Sequence, residues 1–396
     1  MKVICYFSLS FMMLCFVSCN IANKYKDNYG GIPINDKAQA KYPSLIKFNF
    51  DSLKISPEGM IADYGGSNHT ATTNREDSAL VILQNCVNNT IDMYNLDNLQ
   101  FHSTYYLPFK ENVCGDMSSC VWGQKKIFCL LQNSNLYSMT DSNNYQLITT
   151  INNHPRMIHQ KLIVSESLDH CNEIFINKDS LLFFPVTNLN HNRNYDFPLT
   201  AAYNLITNEI SFPGLQYPFI MFKNDYGLLD RIHQYYFESK IIYTFEGLPE
   251  IWLYDTKGKT VERFSCKSSY QTDTILPINF KRNPETKDFL WKHFMNSARY
   301  ERLVYDPFRK CYYRFFILAM PQKNEQGFFN TYKDRRLSVM VLDENFNIIG
   351  ESLLPEDYYA IFFAVASKQG LLLNLGPLKK ATINGFNILK INFATQ

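Results

Sequence analysis

The sequence predicts an all-β fold, specifically a β-propeller, and three observations carry that prediction. Apolar runs are short and rich in β-branched and aromatic residues, which suits strands rather than helices. Asn, Asp, Ser and Gly clusters separate them, as turns require. A weak motif also recurs, in which an apolar pair and an anchor precede a polar turn and another apolar run. Its anchors Tyr94, Met139, Tyr203, Tyr254, Leu342 and Leu389 are spaced by 45, 64, 51, 88 and 47 residues. Spacings near 40–50 residues with several strands each are those of propeller blades. Six blades are expected, with seven as the alternative. A β-sandwich, with the recurrence arising from common hairpin chemistry, is the competing fold.

The elements follow in chain order. Lys2 precedes the apolar stretch Val3–Val17, which is too short for a membrane span and has the layout of a secretory signal. Its end, Phe16-Val17-Ser18-Cys19, resembles the lipobox of bacterial lipoproteins, so residues 1–18 are expected to be a lipoprotein signal peptide and Cys19 the lipid attachment point. Residues 19–43 are polar with a Gly pair and are expected to form a flexible tether. The propeller domain then occupies 44–396.

Strand-like runs include 79–83, 126–131, 180–184, 240–245, 311–318 and 370–374. Each anchor is expected on the third strand of its blade and the run after it on the fourth. The last copy has no room for a fourth strand, and an open edge is a liability. The alternating run 44–50 is therefore expected to pair in the last blade and close the ring. The long anchor spacings leave room for insertions around 154–170 and 266–300. The second contains the best helix candidate, 284–297, with Leu290, Trp291 and Phe294 on one face. Pro155 argues against a helix in the first.

Charge narrows the partners. Lys and Arg number 39 against 37 Asp and Glu, for a net charge of +2, so no basic stripe for nucleic acid is expected. Neither Walker nor dinucleotide glycine loops, nor a nucleophile elbow, nor a zinc-protease helix motif occurs. His154 and His159 are five apart rather than four, and there is no C-x-x-C. No cofactor or metal is expected. Beyond Cys19, seven cysteines remain; they are expected as buried free thiols acting as small apolar residues.

The most distinctive stretch is Tyr305-Asp306-Pro307-Phe308-Arg309-Lys310-Cys311-Tyr312-Tyr313-Arg314-Phe315. It reads as a hairpin, with Tyr312, Arg314 and Phe316 on one face and Tyr313, Phe315 and Ile317 on the other. Together with the lipobox and the length, it resembles the Gram-negative envelope lipoproteins grouped as domain-of-unknown-function family 4221. That resemblance implies a propeller-like fold and brings no assigned reaction.

Tyr305, Asp306, Tyr312 and Arg314 are the candidate binding residues. Arg314 has two readings: an anion-binding group in the channel, or a structural group paired with a carboxylate and stacked on Tyr rings. The expected function is a membrane-anchored envelope module, placed at the outer membrane with its face undetermined, that binds a peptide, glycan or protein partner. Abundant Tyr and Asn suit such contacts. The alternative is a glycan hydrolase or lyase using carboxylates such as Glu173, Asp230 or Glu250 across the channel.

Overall fold

In a computed structural model, the described residues are 29, 31–35, 46–54, 72–74, 79–85, 90–95, 98, 100–107, 117–123, 125–131, 133–141, 144–165, 174–188, 196–224, 226, 229, 231–237, 239–272, 275, 286–331, 334–354, 364–374 and 385–393. They form an all-β, propeller-like arrangement of small sheets in chain order.

The first sheet contains Thr72–Asn74, Ala79–Asn85, Thr90–Asn95 and Phe101–Tyr106. Met117–Gly123, Lys126–Leu131, Asn135–Met139 and Tyr145–Thr150 make the second. In the third, two short pieces, Leu162–Val164 and Phe175–Ile176, pair with opposite ends of Leu181–Asn188, followed by Thr200–Asn204 and Ile210–Ser211. The fourth holds Ile232–Phe237, Lys240–Phe245, Glu250–Asp255 and Thr260–Ser265. Arg299–Asp306, Cys311–Ile317, Leu337–Asp343 and Ile348–Leu353 form the fifth. The sixth comprises Ala364–Ser367, Gly370–Asn374, Gly385–Phe393 and, from the other end of the chain, Ile46–Lys54.

All six anchors fall on the third strand of their sheets. The physical basis of the repeat lies in the turn after that strand. Asn204, Asp255 and Asp343 each accept two backbone N–H groups from the following residues on one side-chain oxygen. Such side-chain-to-backbone bonds end a strand and start a hairpin. The recurring polar residue is thus a turn signal, and the apolar run before it is a strand buried on both faces.

Successive sheets pack face to face through alternating side chains. On Cys311–Ile317, Tyr312 and Phe316 join the main core shared with the second, third and fourth sheets. Cys311, Tyr313, Phe315 and Ile317 join a second core with Ala364, Ala366, Leu371 and Leu373 of the sixth. The two faces divide as the sequence alternation requires.

Ile46–Lys54 runs antiparallel to Gly385–Phe393 over nine register pairs, from Ile46 opposite Phe393 to Lys54 opposite Gly385. This N-terminal strand is therefore the fourth strand of the last sheet. It reaches slightly further than the 44–50 run expected from alternation.

Two expectations need correction. Tyr29 and residues 31–35, placed in a flexible tether, are docked. Ile34–Asn35 pairs in parallel with Thr260–Ser265, and Tyr29 meets Trp252 edge to face at 5.3 Å. Gln216 N–H donates to the Tyr29 hydroxyl at 2.8 Å, and Arg263 donates to the Tyr29 and Ile32 carbonyls. The outer strand of the fourth sheet offered an open ladder, and the segment covers it. The signal, Cys19 and the rest of 19–43 lie outside the described residues.

The second correction concerns Pro155, which opens a helix, Pro155–Gln160, instead of preventing one. Proline suits the first helical position because its missing N–H would have no intrahelical partner there. His154 caps it by accepting from Arg156 N–H at 3.3 Å.

The expected later helix is present as Thr286–Asn296. Arg299 and Arg335 donate to its last carbonyls at Phe294 and Met295, where the helix dipole favours cations. Among the described residues, no helix is long and apolar enough to cross a membrane.

Candidate functional site

The first strands of the second to sixth sheets border one cavity of about 960 Å³. The second sheet supplies Val121 and Trp122, the third Phe175 and Ile176, and the fourth Tyr235, Tyr236 and Phe237. Arg302, Leu303, Val304 and Tyr305 come from the fifth, and Ala364 and Ala366 from the sixth. Convergence of inner strands on a shared space is the layout of a propeller channel.

Aromatic rings form a nearly continuous wall across three sheets. Tyr236 stacks on Phe183 at 4.4 Å, and Phe175 lies 6.4 Å from both Tyr235 and Tyr236. Phe237 meets Tyr305 at 4.7 Å, and Tyr305 meets Tyr312 at 4.9 Å. These rings hold one another in place, so their free faces are presented without much rotamer entropy left to lose.

Polar groups punctuate the wall. Asn177, Lys178 and Asp179 lie on the turn after Phe175–Ile176, Lys257 on the turn after the fourth sheet's third strand, and Arg302 on an inner strand. The Tyr235 hydroxyl accepts from Leu303 N–H at 2.9 Å, and the Tyr305 hydroxyl donates to Glu344 at 3.0 Å. Burial and then the Glu344 carboxylate push the Tyr305 hydroxyl up to about 12. It stays protonated, and a donor, through the physiological range. Among the described lining residues, Asp179 is the one carboxylate.

The structure divides the residues singled out by the hairpin motif. Tyr305 and Tyr312 line the cavity. Asp306 does not: it is fully buried and organises the turn. One oxygen accepts from Phe308 and Arg309 N–H, the other from the Arg309 guanidinium at 2.9 Å and the Tyr313 hydroxyl at 2.7 Å.

Arg314 points away from the channel, into the seam between the fifth and fourth sheets. Its guanidinium donates to the carbonyls of Pro249, Leu248, Cys266, Phe245 and Glu250 at 2.6–3.4 Å. It also lies 4.0 Å above the Tyr300 ring. Arg314 is a buried structural residue, as one of its two readings had it. Stacking on a tyrosine is present, but backbone carbonyls take the place of a carboxylate or ligand.

Of the three carboxylates considered for catalysis, Glu250 is occupied structurally, bound to Arg263 at 2.7 Å and to the Trp252 indole N–H at 2.7 Å. Glu173 and Asp230 lie outside the described residues. Cys120, Cys129, Cys266 and Cys311 are free and buried. Burial pushes the Cys120 and Cys266 thiols up to about 12 and Cys311 up to about 11, which makes them poor nucleophiles.

Sequence reading missed Trp122, Phe175, Tyr235, Tyr236, Phe237 and Arg302. The recurring motif marks third strands, whereas the channel is lined by first strands. One signal was available: three consecutive aromatics in Tyr235-Tyr236-Phe237 break the alternation of an ordinary half-buried strand.

Comparison with known proteins bears on family and fold. The family model described as "Domain of unknown function (DUF4221)" matches residues 44–353. No curated protein matches the chain. Among solved structures, a member of that family from Bacteroides vulgatus superposes with a TM-score of 0.66 at 17% identity, covering 88% of this chain and 99% of that one. A putative exported protein from Bacteroides fragilis gives 0.46 at 8% identity, covering 91% and 99%. Virginiamycin B lyase from Staphylococcus aureus gives 0.40 at 11% identity, covering 87% and 99%.

Proposed function

The chain belongs to the DUF4221 family, and from that premise we propose that it is a lipid-anchored binding module of the bacterial envelope, a six-bladed ring that takes its ligand in the central cavity. The observation that carries the binding role is the aromatic wall spanning the third, fourth and fifth sheets, with polar groups at intervals along it. Flat rings with hydrogen-bonding neighbours suit a glycan or an extended peptide: apolar faces stack, and polar edges select. Tyr305 and Tyr312 belong to that surface; Asp306 and Arg314 support it from behind.

Six sheets in chain order, with Ile46–Lys54 pairing in the last of them, support the six-bladed reading. A hydrolase or lyase acting on glycans is the second reading. It needs paired carboxylates about 5–10 Å apart, and a wall with Asp179 as its one described carboxylate favours the binder.

Anchoring through Cys19 fits the docked segment. Tyr29 lies ten positions after Cys19, a reach of at most about 35 Å. That tether keeps the outer edge of the fourth sheet close to the lipid surface, and the outer membrane is the site proposed. Cys19→Ser is expected to move the protein from the membrane pellet to the soluble fraction of lysed cells. Pelleting equal to wild type would remove the anchor.

The ligand is tested with panels of defined oligosaccharides and of ten-residue peptides, the two panels distinguishing the two chemistries. Affinity for whichever member binds should fall about tenfold or more in Tyr235→Ala/Tyr305→Ala, since each buried aromatic anchor is worth on the order of 1–3 kcal/mol. Undiminished binding by that variant, with its melting temperature preserved, would place the binding surface elsewhere.

A further inference from the structure

Away from the aromatic wall, His233, Glu246 and Glu301 form a buried cluster that no sequence motif marks. They are 13 and 55 residues apart, and the fold brings one ligand-type atom from each within 4.8 Å of the others. His233 lies on the inner strand of the fourth sheet and Glu301 on that of the fifth. Glu246 follows the fourth sheet's second strand, where Tyr300 N–H donates to its carbonyl at 3.0 Å and stitches the two sheets together.

We propose that these three residues bind a divalent transition-metal cation, zinc or manganese in class, that fastens the fourth sheet to the fifth beside the cavity. The carrying observation is Glu246. Its side chain is 0% exposed, yet neither carboxylate oxygen has a hydrogen bond. Arg231 and His233 approach one of those oxygens only to 3.7 Å, which is beyond hydrogen-bonding distance. A buried carboxylate in that condition is costly, and ligation to a cation would offset the cost.

The donor set agrees. One imidazole with two carboxylates suits first-row divalent ions, whereas calcium and magnesium prefer all-oxygen shells. The surrounding groups are placed as outer-shell supports. Arg299 Nε donates to one oxygen of Glu301 at 2.8 Å and fixes that carboxylate. Arg231 flanks Glu246 from the more exposed side, its own side chain 32% exposed. The two arginines also balance the two carboxylates, leaving the cluster near neutral before the metal's charge is added. The site stands independently of any ligand in the cavity.

The test measures bound metal by elemental mass spectrometry in two preparations of the intact protein. One is purified without chelator; the other is refolded from guanidinium chloride with zinc or manganese chloride and desalted. Metal stoichiometric with the chain, and a melting temperature lowered by EDTA, are expected. Glu246→Gln should retain at least about tenfold less metal, with Glu301→Gln as the second variant. Wild-type protein without stoichiometric metal in both preparations would overturn the proposal, whatever the variants do. So would a folded Glu246→Gln protein that holds metal as well as wild type, because the cation would then sit elsewhere.

Discussion

Arg314→Met should cost about 3–5 kcal/mol, the range for breaking a buried charged network from one side. The guanidinium is 0% exposed and satisfies carbonyls from Phe245, Leu248, Pro249, Glu250 and Cys266. Methionine fills similar volume but donates nothing, so several carbonyls lose their donor in a place water reaches poorly, and each such loss costs on the order of 1–3 kcal/mol. The stacking on Tyr300 is also lost.

Arg314→Lys should recover only part of the deficit, since a single ammonium cannot span the fan of acceptors that the planar guanidinium reaches. Urea denaturation monitored by tryptophan fluorescence measures the difference, with Tyr305→Phe as a control expected to stay within about 0.5 kcal/mol. An Arg314→Met midpoint equal to wild type would contradict the clamp between the fourth and fifth sheets.

Deleting residues 46–54 should have a larger effect, because it removes a whole strand. Nine register pairs with Gly385–Phe393 are lost, and the net worth of backbone hydrogen bonds, about 1 kcal/mol each, makes this a loss of several kcal/mol. The sixth sheet is left with an open edge along a nine-residue strand, a template for pairing with another chain. The expected outcome is a much lower melting temperature together with concentration-dependent self-association, seen by calorimetry and by light scattering. A truncated protein that stays monomeric and melts like the full chain would show that the terminal strand is dispensable. The pairing links residues more than 330 positions apart, so it can form only after both chain ends exist, and folding should be slow for that reason.

Much of the architecture is legible in the amino-acid sequence. The anchors Tyr94, Met139, Tyr203, Tyr254, Leu342 and Leu389 marked third strands, because a strand buried on both faces must be apolar and the turn after it must be polar. The closing strand was legible for a related reason: an alternating N-terminal run and a last repeat one strand short each lacked a partner.

Other features were not readable, each for a physical reason. Pro155 reads as a helix breaker from proline's missing N–H alone; nothing local marks it as a first helical position, since its cap, His154, is not among the common capping residues. The docking of Tyr29 and residues 31–35 was hidden because the segment is short and lies within a mostly polar stretch. Its stability comes from the edge that it covers, and that edge belongs to strand 260–265.

The candidate site divides along the same line. Sequence fixed the alternation of Tyr312, Tyr313 and Arg314 between faces, because the strand period is two. It could not say which face looks toward a neighbouring sheet and which toward the channel, since that depends on how sheets are arranged about the axis. Nor could it say what successive positions along one face would meet: Tyr312 and Arg314 share a face, yet Tyr312 lines the cavity while Arg314 enters a seam with the fourth sheet. The aromatic wall and the His233, Glu246 and Glu301 cluster belong wholly to tertiary structure. Local pattern determined strands, turns and the need for closure, since these arise from neighbours along the chain; convergence of side chains from separate sheets was decided only by packing, which brings distant residues together without leaving a spacing to read.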